Sequence, residues 1–132
     1  MGFTHKFPEA ARRHLQAADA LFADPGHRKD VAGYLYGIAA ECAIKQMVIA
    51  LPLPPQYDKN SILYLHFPEL RNILGEALAR RRGESLLAFV HNNAFMNNWH
   101  VSMRYADARQ ILPHWITAWQ QDARRVVNAM GA

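Results

Sequence analysis

The sequence predicts an all-α protein, an antiparallel up-and-down bundle of four to five helices. Apolar residues recur at intervals of three and four along most of the chain, which is the period of an amphipathic helix. No long alternating pattern of the kind that marks a strand is present, and the stretches between helical segments are short. With 132 residues, 51% of them hydrophobic and 20% charged, the chain has the size and composition of a single domain over residues 1–132.

The first helix is predicted over Pro8–Ala23. Pro8 suits the first turn of a helix, where its missing N–H breaks no hydrogen bond. The sequence Asp24-Pro25-Gly26 then has the residues of a tight turn and ends the segment. Polar residues separate an apolar stripe at helical spacing, formed by Phe7, Ala11, Leu15, Ala18, Leu21 and Phe22.

The second helix is predicted over Asp30–Leu51, and its apolar residues lie nearly all round, which is typical of a central helix. Glu41, Lys45 and Gln46 interrupt the apolar run, so we do not expect this segment to cross a membrane. Small residues would let another helix approach closely; they are Gly33, Gly37, Ala40 and Ala43.

Prolines make Pro52–Asn60 a loop. Ser61–Leu65 is either a short helix or a tether. A third helix is predicted over Phe67–Arg82, with Pro68 near its start and a buried stripe at helical spacing.

Gly83 is expected to interrupt the helical pattern, and Glu84–Val90 then forms a further turn or helix. His91–Asn98 is rich in asparagine and predicts a loop. The last helical segment runs from about Tyr105 to Met130 and contains Pro113, which either kinks one helix or lies in the first turn of a new one.

Two stretches resemble a known family. Gly33–Lys45, with its Ala-Glu-Cys-Ala-x-Lys pattern, resembles the second helix of HEPN domains, the helical bundles named for higher eukaryotes and prokaryotes and for nucleotide binding. Trp99–Tyr105 is similar to the Trp-x-x-x-x-Arg-Tyr stretch that precedes the last long helix in one bacterial branch of that family. The order and spacing of these stretches, and of the segment His14–Asp19, fit over most of the chain.

The resemblance implies an antiparallel helical bundle, usually a homodimer. Many HEPN proteins are metal-independent endoribonucleases of toxin–antitoxin and phage-defence systems, often paired with a small nucleotidyltransferase-like antitoxin. Other members are non-catalytic modules that bind RNA or a nucleotide or act as scaffolds. The family's catalytic signature is an arginine, four to six residues and a histidine, which Arg109 and His114 match.

The chemistry of Arg109 and His114 suits RNA cleavage by the 2′-hydroxyl of the RNA itself. A histidine titrates near neutral pH and can accept and donate the proton, and an arginine can bind the phosphate and stabilise its developing charge. A pattern this short also arises by chance. Pro113 disturbs the backbone between the two residues, and Gln110 differs from the Asn, Asp or His usual after the arginine.

Two further groups are candidates for binding. Glu41 and Lys45 are four residues apart on one helical face, so they form either a structural ion pair, with Arg104 as another partner for Glu41, or part of a site. A second group comprises Trp99, His100, Arg104 and Tyr105. Either Trp99 and Tyr105 pin a loop onto the bundle, or the group forms a ledge that stacks a base or binds a nucleotide.

A third class of function is a helical protein-interaction module, in which Trp115 and Trp119 of the last helix anchor either the core or a partner. The formal net charge of +4 permits an anionic partner without requiring one. Arg80-Arg81-Arg82 is either a solvated helix end or a contact to an RNA backbone.

The histidines show no metal-ligand spacing, so neither a metal nor a cofactor is expected. Cys42 is the single cysteine, which excludes an internal disulfide and favours a reducing compartment. The first nine residues lack the apolar run of a signal peptide. We therefore expect a cytoplasmic protein.

Overall fold

The computed structural model describes residues 2–26, 28–82 and 84–131, and all regular structure within them is helical. The predicted all-α bundle is confirmed. The six α-helices are α1 (Phe7–Ala23), α2 (Lys29–Ile49), α3 (Lys59–Ile62), α4 (Glu69–Ala77), α5 (Leu87–Val90) and α6 (Pro113–Ala129), of which α3 and α5 are single turns. Two 3₁₀ helices, Val101–Tyr105 and Ala108–Gln110, lie between α5 and α6.

Helices α1, α2 and α6 form the core of the bundle, with α2 packed against both of the others. At one end of α1, Arg12 donates a hydrogen bond to the Gly131 carbonyl (2.8 Å), just beyond α6. Further along α1, Asp19 pairs with Arg124 at 3.3 Å. Because a later residue of α1 contacts an earlier residue of α6, these two helices are antiparallel. The short connection after Ala23 likewise makes α1 antiparallel to α2.

The small residues of α2 accommodate indole rings. A methyl group built on Gly33 would lie 2.9 Å from the Trp119 ring, and one on Gly37 would lie 1.9 Å from the Trp99 ring. Trp119 comes from α6, as the prediction of a close helix approach requires, whereas Trp99 comes from the connection before the first 3₁₀ helix. The glycines therefore position both tryptophans against the first half of α2.

Helix α4 is shorter than the predicted third helix over Phe67–Arg82. It begins at Glu69, after Pro68, and ends at Ala77 because Leu78 leaves the helical region (φ −107°, ψ 15°). Beyond that point Arg81 donates hydrogen bonds to the Pro52 carbonyl, 29 residues away, and to Glu84, three residues further along the chain. The predicted interruption at Gly83 lies outside the described residues.

The alternatives left by the sequence are resolved in three places. Ser61–Leu65 overlaps the single turn α3, which begins earlier because the Asp58 side chain accepts a hydrogen bond from the Asn60 N–H (3.1 Å). The further turn predicted within Glu84–Val90 is α5. Pro113 lies in the first turn of α6, so it begins a helix and does not kink one.

Among the described residues, none of the helices combines the length and the apolar character that crossing a bilayer requires. This finding agrees with the prediction for the second helix, whose observed counterpart α2 carries Glu41 and Lys45 near its centre.

Candidate functional site

One end of the bundle carries arginines and aromatic rings on two neighbouring segments. The first segment is residues 28–34, at the start of α2, and the second is residues 100–114, which contains both 3₁₀ helices and enters α6. We call this surface the end face. A cleft of about 220 Å³ separates the two segments and is lined by Arg28, Asp30, Val31, Tyr34, Met103, Arg104 and Ala106.

A chain of ring and guanidinium contacts runs from the core to this surface. Trp99 is 2% exposed, and its indole N–H donates a hydrogen bond to the Gly33 carbonyl (3.1 Å). The ring of Tyr34 stacks on Trp99 with centroids 5.8 Å apart. Arg104 donates a hydrogen bond to the Tyr34 hydroxyl (3.2 Å), and its guanidinium lies 5.0 Å from the centre of the Tyr105 ring. Tyr105 itself is 80% exposed.

The candidates Trp99, His100, Arg104 and Tyr105 therefore separate into two groups. Trp99 is a core residue, and His100 precedes the first 3₁₀ helix, where its Nδ1 accepts a hydrogen bond from the Ser102 N–H (3.0 Å). Arg104 and Tyr105 face solvent. Loop pinning was expected of Trp99 and Tyr105, but only Trp99 is buried; Tyr105 is 80% exposed and lies beside the exposed Arg104.

Arg109 and His114 both lie exposed on the end face, but they are not joined. The Arg109 guanidinium binds Asp107 through two hydrogen bonds, from Nε to Oδ1 (3.1 Å) and from Nη2 to Oδ2 (2.7 Å). These bonds lower the pKa of the Asp107 carboxyl. The His114 ring contacts Trp115, with ring centroids 6.1 Å apart. Within the described residues no hydrogen bond connects Arg109 with His114.

Beside the cleft lies a second, more apolar depression of about 350 Å³. It is lined by Phe22 and Gly26 from the α1 side, by Ile111, Pro113 and Ile116 from the α6 side, and by Lys29, Asp30 and Ala108. Neither 3₁₀ helix contains a buried residue. The segment that carries Arg104 and Tyr105 therefore crosses the end of the bundle as a strap with depressions on both sides.

Glu41 and Lys45 lie two turns or more along α2 from Tyr34, away from the end face. Glu41 is buried, and its two oxygens accept hydrogen bonds from His66 Nδ1 and from the Phe67 N–H, each at 2.8 Å. Lys45 Nζ is 4.0 Å from the same carboxylate, so the expected ion pair is present. Burial raises the pKa of Glu41 despite these partners, and burial lowers that of Lys45.

Of the two alternative links expected of Glu41, the one to Lys45 is present and the one to Arg104 is not formed. Arg104 reaches α2 at Tyr34, which is seven residues or roughly 10 Å before Glu41 along the helix. Sequence reasoning also missed His66 as the partner of Glu41, since no spacing connects them. Glu41 therefore ties α2 to the residues preceding α4.

The remaining candidates are engaged or unreactive. Burial raises the pKa of the Cys42 thiol to about 11, so it is protonated at neutral pH and is no nucleophile. Trp119 is 1% exposed and donates a hydrogen bond to the Asn97 carbonyl (2.8 Å), whereas Trp115 is half-buried. Arg80 and Arg81 line a separate depression of about 460 Å³. No cluster of three or more His, Cys, Asp or Glu suited to a metal occurs in the described part of the chain.

Comparisons of the chain with protein-family models, with curated proteins and with solved structures find no match. The chemistry of the end face must therefore be judged from its own residues. It offers guanidinium groups for phosphate and an exposed aromatic ring for a base.

Proposed function

We propose that this chain is a HEPN-like helical domain that binds single-stranded RNA or a nucleotide through its end face. The observation that carries the proposal is the exposed pair Arg104 and Tyr105, which is supported from below by Tyr34 and the buried Trp99. Because the Tyr34 hydroxyl already holds the Arg104 guanidinium, less conformational entropy of this side chain is lost when a ligand binds.

The Tyr105 ring has the properties of a stacking platform. Arg104 lies on it, and the ring remains 80% exposed, so a base has access to it. Stacking of a base on an aromatic side chain contributes roughly 1–3 kcal/mol. Unpaired bases can stack in this way, whereas bases in a duplex are already stacked on each other. Single-stranded RNA is therefore the ligand that this surface favours.

A metal-independent endoribonuclease is the second candidate function. It is supported by the exposure of Arg109 and His114 on the same end face as Arg104. In this reaction the RNA 2′-oxygen bonds to phosphorus, the bond to the 5′-oxygen breaks, and His114 moves the proton from the first oxygen to the second. Arg109 would first have to leave Asp107, so the geometry favours binding over cleavage.

Other parts of the proposal rest on the family resemblance. These are a homodimer, in which two copies of Arg109 and His114 would face each other, a nucleotidyltransferase-like antitoxin as partner, and a cytoplasmic location. The protein-interaction module is the remaining alternative, and the half-buried Trp115 is the aromatic residue that it would use, since Trp119 is buried.

The binding test measures fluorescence anisotropy of a labelled single-stranded RNA with the wild type and with Arg104→Ala, Tyr105→Ala and Arg13→Ala. Arg13 is exposed in the first half of α1, so its variant loses the same charge outside the end face. We expect Arg104→Ala and Tyr105→Ala to weaken binding by about tenfold each. Arg104→Ala should also reduce the slope of log affinity against log salt by about 0.7.

Arg13→Ala should stay within about twofold of wild type, and circular dichroism should report intact folds. Equal losses for Arg13→Ala and Arg104→Ala would mean general charge attraction and would contradict the proposal. A wild-type protein that binds no RNA would contradict it as well.

The cleavage test uses the same RNA with a chelator present, so that metal-dependent contaminants are inactive. An endoribonuclease of the proposed kind yields a 2′,3′-cyclic phosphate and a 5′-hydroxyl, and both Arg109→Ala and His114→Ala abolish these products. Binding without products, in the wild type, leaves the non-catalytic module as the function.

A further inference from the structure

The three arginines of the end face have different partners. Arg28 pairs with Asp30 at 2.9 Å, and Arg109 pairs with Asp107 at 2.7 Å. Arg104 has neutral partners among the described residues, the Tyr34 hydroxyl and the Tyr105 ring. One arginine is therefore free of carboxylates, and two are held by aspartates two positions away in the sequence.

A carboxylate and a phosphate use the same edge of a guanidinium. Arg109 already offers Nε and Nη2 to Asp107, so a phosphate at this position must replace the aspartate. The gain from such an exchange is the difference between two similar interactions. Arg104 requires no exchange, because no carboxylate among the described residues binds its guanidinium.

Asp107 also stays charged at neutral pH. The hydrogen bonds from Arg109 lower the pKa of Asp107, so protonation does not release this arginine near pH 7. Release must come from the ligand. A mononucleotide bound at Arg104 has no second phosphodiester. An oligonucleotide bound there holds its next phosphates close to Arg28 and Arg109, at a high effective concentration.

We propose that the end face selects an oligonucleotide over a mononucleotide, because Arg104 binds the first phosphate and the aspartate-held Arg28 and Arg109 are released only by further phosphates of the same chain. The positions agree with this order. Arg28 and Arg104 line the same cleft, and Arg109 follows Arg104 on the strap, in the next 3₁₀ helix. The inference rests on the proposed binding of RNA at the end face and names its substrate class.

The test compares two probes, an oligouridylate about ten nucleotides long and uridine 5′-monophosphate. The variant is Asp107→Asn, whose amide oxygen can still accept the hydrogen bond that the Asp107 side chain takes from the Arg109 N–H (2.9 Å). The matched control is Glu9→Gln, an exposed position near the start of α1 with the same change of net charge. Affinities are measured by anisotropy for the oligonucleotide and by ligand-observed NMR for the monophosphate.

We expect Asp107→Asn to raise the affinity for the oligonucleotide about two- to fivefold, the range of one exposed ion pair. The affinity for uridine monophosphate should remain within about twofold, and Glu9→Gln should leave both affinities within about twofold. In an Arg109→Ala background, Asp107→Asn should lose its effect, since no arginine remains to be released.

Three results would overturn the inference. The first is an oligonucleotide affinity that Asp107→Asn does not change, and the second is an equal gain for both probes. The third is a gain that persists without Arg109. If the wild type binds the oligonucleotide and Arg104→Ala weakens that binding, any of these results overturns only the selection of oligonucleotides over mononucleotides. The proposed binding of RNA at the end face then still stands. A wild type that binds neither probe refutes the proposed function itself.

Discussion

Adding one methyl group at Gly37 tests the packing that supports the end face. Gly37 lies within α2, and a Cβ atom there would be 1.9 Å from Trp99 Cε2 and 2.0 Å from Nε1. Real Cβ atoms do not approach neighbours so closely, so in Gly37→Ala the whole indole must move. The ring cannot adapt locally because its N–H is bonded to the Gly33 carbonyl and one face is stacked on Tyr34.

The expected cost follows from three contributions. Moving the indole breaks its buried hydrogen bond, which costs about 1–3 kcal/mol, and overpacking costs about 1–3 kcal/mol. Alanine favours the helix over glycine by about 1 kcal/mol, which offsets part of the loss. We expect Gly37→Ala to lower the free energy of unfolding by about 1–5 kcal/mol, and the midpoint temperature by roughly 3–25 °C.

The matched control is Gly75→Ala in α4. A Cβ atom there would lie 3.3 Å from the Val90 carbonyl oxygen, so a shift of a few tenths of an ångström relieves the contact. The helical gain opposes this small strain, and the free energy of unfolding should change by less than about 1 kcal/mol. Urea unfolding followed by circular dichroism measures both variants.

A double-mutant cycle with Trp99→Phe isolates the contact. The smaller ring leaves room at Gly37, so Gly37→Ala should cost at least about 1 kcal/mol less in the Trp99→Phe background than in the wild type. A Gly37→Ala variant as stable as Gly75→Ala would refute the reasoning, as would costs that simply add. RNA binding by folded Gly37→Ala should also weaken, because Tyr34 supports Arg104.

Two further predictions concern carboxylates that hold helices together. Glu41→Ala should lower the free energy of unfolding in urea by about 3–5 kcal/mol, because the Phe67 N–H and the Lys45 ammonium lose their buried partner; a loss below about 1 kcal/mol would contradict this. Burial raises the pKa of Asp19, but hydrogen bonds from Tyr36 and Gln120, together with Arg124, lower it by more. The net result is a pKa below the usual value of 3.8. Its stabilisation is therefore present above that pH and is lost as the pH falls through the folded-state pKa. Asp19→Asn should be less stable at neutral pH and lose less stability between about pH 4 and 2, measured by thermal unfolding across this range; an unchanged acid limb would argue against the network.

The long helices could be predicted because their stabilising contacts repeat with the helical period. The first helix was predicted from Pro8 and begins at Phe7, and the second was predicted over Asp30–Leu51 and spans Lys29–Ile49. The end of α4 was not predicted, because Leu78 leaves the helical region with no glycine or proline beside it. Just beyond it, Arg81 donates a hydrogen bond to the Pro52 carbonyl, 29 residues away. No local pattern contains that contact.

The candidate site was predicted only in part, because some of its residues come together only through distant contacts. Arg104 and Tyr105 were identified as a possible ledge, and they are exposed side by side. Arg28 and Tyr34 were missed, although Tyr34 supports the ledge, because their role depends on the packing of residues 100–114 over the start of α2. Asp107 was missed too, although it lies only two residues before Arg109 and an i, i+2 pair in a 3₁₀ turn needs no distant contact.

The two stretches that carry the family resemblance contact each other in the folded chain. Trp99 bonds to Gly33 and packs on Gly37, and Arg104 bonds to Tyr34. Most of these residues interlock a tryptophan with a glycine-lined helix, so the resemblance rests mainly on residues that pack in the core and not on residues that face solvent. Activity must then depend on the residues that face solvent around the contact between these two stretches. Variants of Arg104 and Asp107 keep the packing of Trp99 against α2 and therefore discriminate between functions, whereas variants of Trp99 report mainly on the fold.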